Sequence, residues 1–281
     1  MEKQLPAGKA ELPGLHDDHK PMPDRHEIEP VTSDAWHSLR RVTAARVALG
    51  RAGGSLPTRE WLNFKADHAA ARDAVHDVFD AERLADELRS LESEVLIVDT
   101  AASDRRSYLE RPDCGRQLAE HSRAELEQRR PPAPVDLALI VSDGLSAIAA
   151  QRHAQPLSMC LLPRLKDRGW TLAPIVVARF GRVALQDQIG DLLHARISLI
   201  LLGERPGLAS PDSLGAYLVF APRAGNTDAN RNCVSNIRPE GLPYEAAAET
   251  LLYLLSESRR RRFSGVALKD ERLSSPKLSA T

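Results

Sequence analysis

The 281 residues carry 38 Lys and Arg against 39 Asp and Glu, and a formal charge of −1 sets up no global field toward nucleic acid or an anionic membrane. A hydrophobic share of 42% is enough for a packed core, and 4% aromatic makes that core mostly aliphatic. Cys114, Cys160 and Cys233 are isolated and without zinc spacing, and no apolar run approaches the ~20 residues that span a bilayer, so a cytoplasmic protein with free thiols is expected, with neither nucleic-acid nor membrane partners.

Residues 1–32, rich in proline and charge and without periodicity, read as a disordered leader. A helical N-terminal region is expected over 33–95. Ser33 or Asp34 caps a first helix on which Trp36, Leu39, Val42 and Val47 recur at helical spacing. A glycine elbow at 50–54 ends it, and Thr58 caps a second helix carrying Trp61, Phe64, Ala71, Val75 and Val78. A charged helix over 81–94 leads to a strand at 94–98. Pro112 and Asp113 restart a helix that runs to about Gln128, and Pro131, Pro132 and Pro134 form a stiff connector.

The stretch 96–270 is expected to be one α/β domain: strand 136–141, helix 144–168, strand 172–178, helix 186–194 and strand 197–202 alternate. An apolar run at 217–220 and a polar loop over 222–242 follow, then a helix from Tyr244 whose end, Arg259–Arg262, offsets the backbone dipole. Residues 271–281 read as a frayed tail. The fold class is therefore α/β, with a mostly parallel Rossmann-like sheet flanked by helices and preceded by the small helical region.

In such a sheet the loops after the strands gather on the carboxyl edge, where ligands bind. Here they are Ser142–Gly144, Arg179–Arg182 and Gly203–Gly207. None fits the nucleotide fingerprints G-x-x-x-x-G-K-[ST] or G-x-G-x-x-G. The elbow arginines Arg46 and Arg51 either bind an anion or flank a helix stop. Asp143 either caps the next helix or marks a helix start that offers N–H groups to phosphate or amide oxygens. Glu204, held between glycines beside Pro206, either pairs with an arginine such as Arg205 or presents a carboxylate to a ligand, and the stiff setting favours the ligand. His153 and His194 fall within expected helices, so no Ser-His-Asp arrangement and no metal site is expected. Cys233, in the amide-rich stretch NRNCVSNI, reads as a small group lining a pocket for a large ligand rich in amides or hydroxyls. Two alternatives stay open: a stand-alone enzyme using Asp143 and Glu204 on a phosphorylated or sugar substrate, and a purely structural subunit.

The segments VTAARVALGRAG (42–53), FKADH (64–68), RSYLERPD (106–113), VSDGLS (141–146), GRV (181–183), DQIG (187–190), GERPGL (203–208) and CVSNIR (233–238) occur in fixed order. Together they closely resemble the small (light) subunit of ethanolamine ammonia-lyase over about 36–270. The resemblance implies a radical enzyme that converts ethanolamine to acetaldehyde and ammonia in ethanolamine catabolism, with catalytic side chains on a large partner subunit in a hetero-oligomer. It implies adenosylcobalamin, a cobalt corrinoid, as cofactor, contacted here by Val183, Glu204 and Cys233, with no catalytic residue and no metal ligand on this chain. The D-x-H-x-x-G sequence that would supply a histidine to cobalt is broken, because Glu29 stands where glycine is required after Asp24 and His26. A cytoplasmic location is expected, with encapsulation in a bacterial microcompartment left open.

Overall fold

The computed structural model describes residues 31–43 and 45–273, so the expected leader up to residue 30 and most of the expected tail lie outside them. The chain divides into two units, one ending at Trp61 and one beginning at Leu62.

In the first unit the expected helix from residue 33 is only a 3-10 turn, His37–Arg41, that buries nothing. Asp34 closes a short turn by accepting from the Trp36 N–H at 2.8 Å. Helices in proteins owe most of their stability to packing of an apolar face, and here Trp36 is 69% and Val42 81% exposed. The 50–54 elbow likewise ends no helix: Arg51 pairs back on Thr32, and Ala52 on Ser55, in isolated antiparallel bridges. Helix α1 (Thr58–His76) matches the expected second helix.

The second unit is built on six strands in the order β1-β3-β2-β4-β5-β6. β1 (Val95–Asp99), β3 (Ile175–Arg179), β2 (Val135–Ser142) and β4 (Ala195–Gly203) are mutually parallel. β5 (Leu214–Phe220) and β6 (Arg231–Ile237) add antiparallel to β4. Parallel strands covered on both faces read as continuous apolar runs, and β2 is buried from Asp136 to Ser142. β6 falls inside the expected polar loop over 222–242. Its sequence RNCVSNI hides the strand because it is an edge, with mainly Val234 and Ile237 turned to the core.

Helices α2 (Ala81–Arg89), α5 (Ala147–Lys166) and α7 (Tyr244–Arg261) cover one face, where Leu84, Leu88, Leu157, Leu161 and Leu251 form the larger core. α2, expected in the N-terminal helical region, thus packs on the sheet. On the other face α4 (Glu120–Gln128) and α6 (Leu185–Leu192) place Leu126, Leu185 and Ile189 over Ile140, Val176 and Ile200. The helix expected to restart at Pro112 and Asp113 and run to about Gln128 is instead a 3-10 turn at Cys114–Arg116 followed by α4, because Leu118 between them bridges to Thr100, and a further short helix, α3 (Arg105–Glu110), ends before Pro112. His194 lies just past α6 rather than in it, at φ +54°.

The cap of α5 is Ser146, not Asp143: its hydroxyl accepts from the Ala149 N–H at 3.4 Å and donates to the Pro211 carbonyl at 3.0 Å. Ser146→Ala is expected to cost about 1–2 kcal/mol, read as a lower urea midpoint at unchanged slope.

Candidate functional site

The loops that follow β2, β3 and β4 interlock at the carboxyl edge. Asp143, 1% exposed, is their hub. Its Oδ1 accepts from the Phe180 N–H at 2.7 Å and the Ser142 hydroxyl at 3.1 Å. Its Oδ2 meets Arg105 at 2.9 Å, and Arg105 also donates to the carbonyls of Val75 and Gly144. Burial pushes the Asp143 carboxyl up to about 6, against the pull of Arg105 and these hydrogen bonds. Burial likewise lowers Arg105. The ring of Tyr108 lies between two guanidiniums, 5.0 Å from Arg105 and 4.0 Å from Arg182, and its hydroxyl donates to the Gly181 carbonyl. Burial raises the Tyr108 phenol. Asp143 is thus saturated by protein donors and closed to substrate, which removes the acid/base partner that a stand-alone enzyme would need.

Gly144 adopts φ +54°, and a Cβ there would stand 2.3 Å from the Gly203 carbonyl. The backbone contact it permits is tight, with the Leu145 N–H donating to the same carbonyl at 2.9 Å. This clamp fixes where β4 ends and therefore where Glu204 begins.

Glu204 is half-buried and takes its hydrogen bonds from Ser213 and Asn236 rather than Arg205. Its Oε2 accepts from the Ser213 hydroxyl at 2.8 Å and the Asn236 N–H at 3.3 Å. Among the described residues no donor is hydrogen-bonded to Oε1. The side chain lies over Gly215, where a Cβ would come within 2.8 Å of Oε1 and 3.0 Å of the Tyr217 ring. Cys233 is exposed and stands directly across from Tyr217 in the β5–β6 register. Surrounding protein pushes the Cys233 thiol up, hydrogen bonding with Tyr217 acts against it, and the Glu204 charge adds a smaller upward push. Burial, followed by the neighbouring thiol, raises the Tyr217 phenol.

Val183 stands at the entry to α6, half-buried and packed, like Tyr217, on the core beneath α4 and α6. The structure therefore brings Glu204 and Cys233 together through Tyr217 and sets Val183 on the same side of the sheet. Cys233 is on a strand, not in a loop: it sits at the level of Tyr217 and Ile200, inside the carboxyl edge. Tyr217 and Arg105 were not singled out in the sequence. The alternation of β5, with Ala216 and Leu218 toward α7's face and Tyr217 toward the other, is the signal for the first. A buried ion pair between Asp187 on α6 and Arg231 on β6 brackets this surface, supported by the Asn226 amide on Asp187 at 3.1 Å.

The family model described as ethanolamine ammonia-lyase light chain (EutC) matches residues 33–269. Over 252 residues the chain is 56% identical to the ethanolamine ammonia-lyase small subunit of Azotobacter vinelandii, covering 89% of this chain and 92% of that protein. The small subunit of Ralstonia nicotianae is 53% identical over 253 residues, 89% of this chain and 94% of its own. That of Pseudomonas paraeruginosa is 52% identical over 252 residues, with 89% and 92% covered. These matches run through both units and through every loop of the carboxyl edge. The chain belongs to the ethanolamine ammonia-lyase light-chain family and is a small subunit of that carbon–nitrogen lyase.

Proposed function

We propose that this chain forms one wall of an adenosylcobalamin site at its contact with the ethanolamine ammonia-lyase large subunit, with Val183, Glu204 and Cys233 as the contacting residues. One observation carries the reading: Glu204 is held in place by one carboxylate oxygen and has the other open, beside an exposed Cys233, on the part of the sheet face that α4 and α6 leave uncovered. A corrinoid's rim of amide side chains needs fixed acceptors, and Glu204 Oε1 is such an acceptor. Val183 and the Tyr217 ring supply apolar surface, and Cys233 a small side chain that permits close approach. The residues present therefore fit the group.

When bound, the cofactor supplies the radical chemistry of the deamination. This chain's residues bind and orient it and keep water from its nucleotide side, and the catalytic side chains belong to the large subunit. A protein partner is further supported by the first unit. Its large apolar side chains Trp36, Leu39, Val42 and Leu56 are exposed, which suits burial against a partner.

Glu204→Ala in the reconstituted two-subunit enzyme is expected to weaken cobalamin binding by ~10-fold, the loss of one charge-assisted hydrogen bond, with kcat at saturating cofactor changed little. Unchanged affinity with a large fall in kcat would overturn the assignment. Unchanged values of both would favour a purely structural subunit.

A further inference from the structure

At the opposite edge of the sheet, where β4 begins and β5 ends, a cavity of about 630 Å³ is lined by His194, Arg196, Phe220, Ala221, Arg259 and Arg262 among others. That volume lies within the ~300–1,000 Å³ of small-molecule sites. Its charge is unbalanced. Arg196 and Arg259 share one carboxylate oxygen of Asp136, at 3.1 and 3.4 Å. The other Asp136 oxygen is taken by the N–H and hydroxyl of Thr171, each at 3.0 Å. Arg262 has no ion pair among the described residues. Three guanidiniums thus face one carboxylate. Their neighbours Arg260 and Arg261 differ, because Glu257 neutralises both.

The lining is also held in place. The Arg259 guanidinium lies 4.9 Å over the Trp170 ring. His194, Ala221 and Arg262 adopt left-handed backbone, with φ of +54°, +51° and +62°. Glycine is the residue that usually stands at a left-handed helix end, and here α6 and α7 are each followed by one whose side chain lines the cavity.

We propose that this cavity binds a diphosphate group, either free or as part of a nucleoside diphosphate. Arginine forks suit phosphate oxygens, an excess of two positive charges suits a multiply charged anion rather than a single carboxylate, and Phe220 offers an apolar wall to an attached group. The site is separate from the Glu204 surface: the nine residues of β4, eight steps of ~3.3 Å, put the two ends of that strand about 26 Å apart.

The test is calorimetric titration of inorganic pyrophosphate and of ADP into the full chain and into its two-subunit complex at low ionic strength. Micromolar binding to both proteins is expected. ADP binding more tightly than pyrophosphate would identify a nucleotide as the source, and equal affinities the phosphate group alone. Arg262→Gly places the preferred residue at that left-handed position while removing the unpaired guanidinium. It is expected to weaken binding at least ~10-fold with an equal or higher thermal midpoint. Three results would overturn the proposal: no heat with either anion, undiminished binding in Arg262→Gly, or binding by the free chain that is lost in the complex, which would make the cavity part of the subunit contact.

Discussion

Asp143→Ala is expected to destabilise the protein by about 3–5 kcal/mol, the cost of leaving a buried partner charge uncompensated. Arg105 would keep two carbonyl acceptors but lose its only anion among the described residues, while the Phe180 N–H would lose its acceptor and the Ser142 hydroxyl its partner on Asp143. For a unit of this size that corresponds to a fall of about 10 °C in thermal midpoint. The loop after β3 is held by this carboxylate, so loosening there should reach Val183 as well.

The same carboxyl carries a pH signature. Its native value of about 6 is above the ~3.9 of an unfolded aspartate, so the native state holds a proton that the unfolded state releases between those values. The associated stability is fully present below pH ~4 and is lost as pH rises through 6. Between pH 7 and pH 5 the wild type should therefore gain about 1 kcal/mol relative to Asp143→Asn, whose side chain does not titrate. Urea midpoints of both proteins at the two pH values measure it, and a gap that does not move with pH would mean the carboxylate stays ionised in the native state.

Gly203→Ala is expected to be comparably severe. Its Cβ would stand 2.1 Å from the Ser146 carbonyl oxygen and 2.4 Å from that of Asp143, both backbone atoms held by the start of α5. Neither can give way as a flexible side chain would, so β4 must end differently, at a cost of about 3 kcal/mol by the scale of overpacked sites. Because Glu204 is the next residue, the variant should also bind cobalamin more weakly than its stability loss alone explains. Comparing cobalamin titrations with unfolding midpoints for Gly203→Ala and Ser146→Ala separates the two effects, since Ser146→Ala loosens α5 without moving Gly203.

β2, β3 and β4 were legible because strands buried on both faces are written in runs dominated by Val, Leu and Ile. The same rule concealed β6, whose outward positions are polar and whose identity as a strand depends on β5 lying beside it. The segment around Trp36 shows the reverse failure: helical spacing without a surface to bury against does not make a helix. Glu204 could be singled out because its glycines and proline are adjacent in sequence. Arg105 could not, since it stands 38 positions before Asp143 in the chain and meets it only on folding. The role of Tyr217 is a matter of register, which composition does not encode.

In the assembled enzyme the corrinoid is expected to cover the face bearing Glu204 and Cys233. Maleimide modification of Cys233 can be followed by mass spectrometry in the two-subunit complex, with the half-buried Cys114 and Cys160 as internal references. Modification of Cys233 should be slowed strongly by added cobalamin while the two references react as before. Equal rates at Cys233 with and without cobalamin would contradict the account.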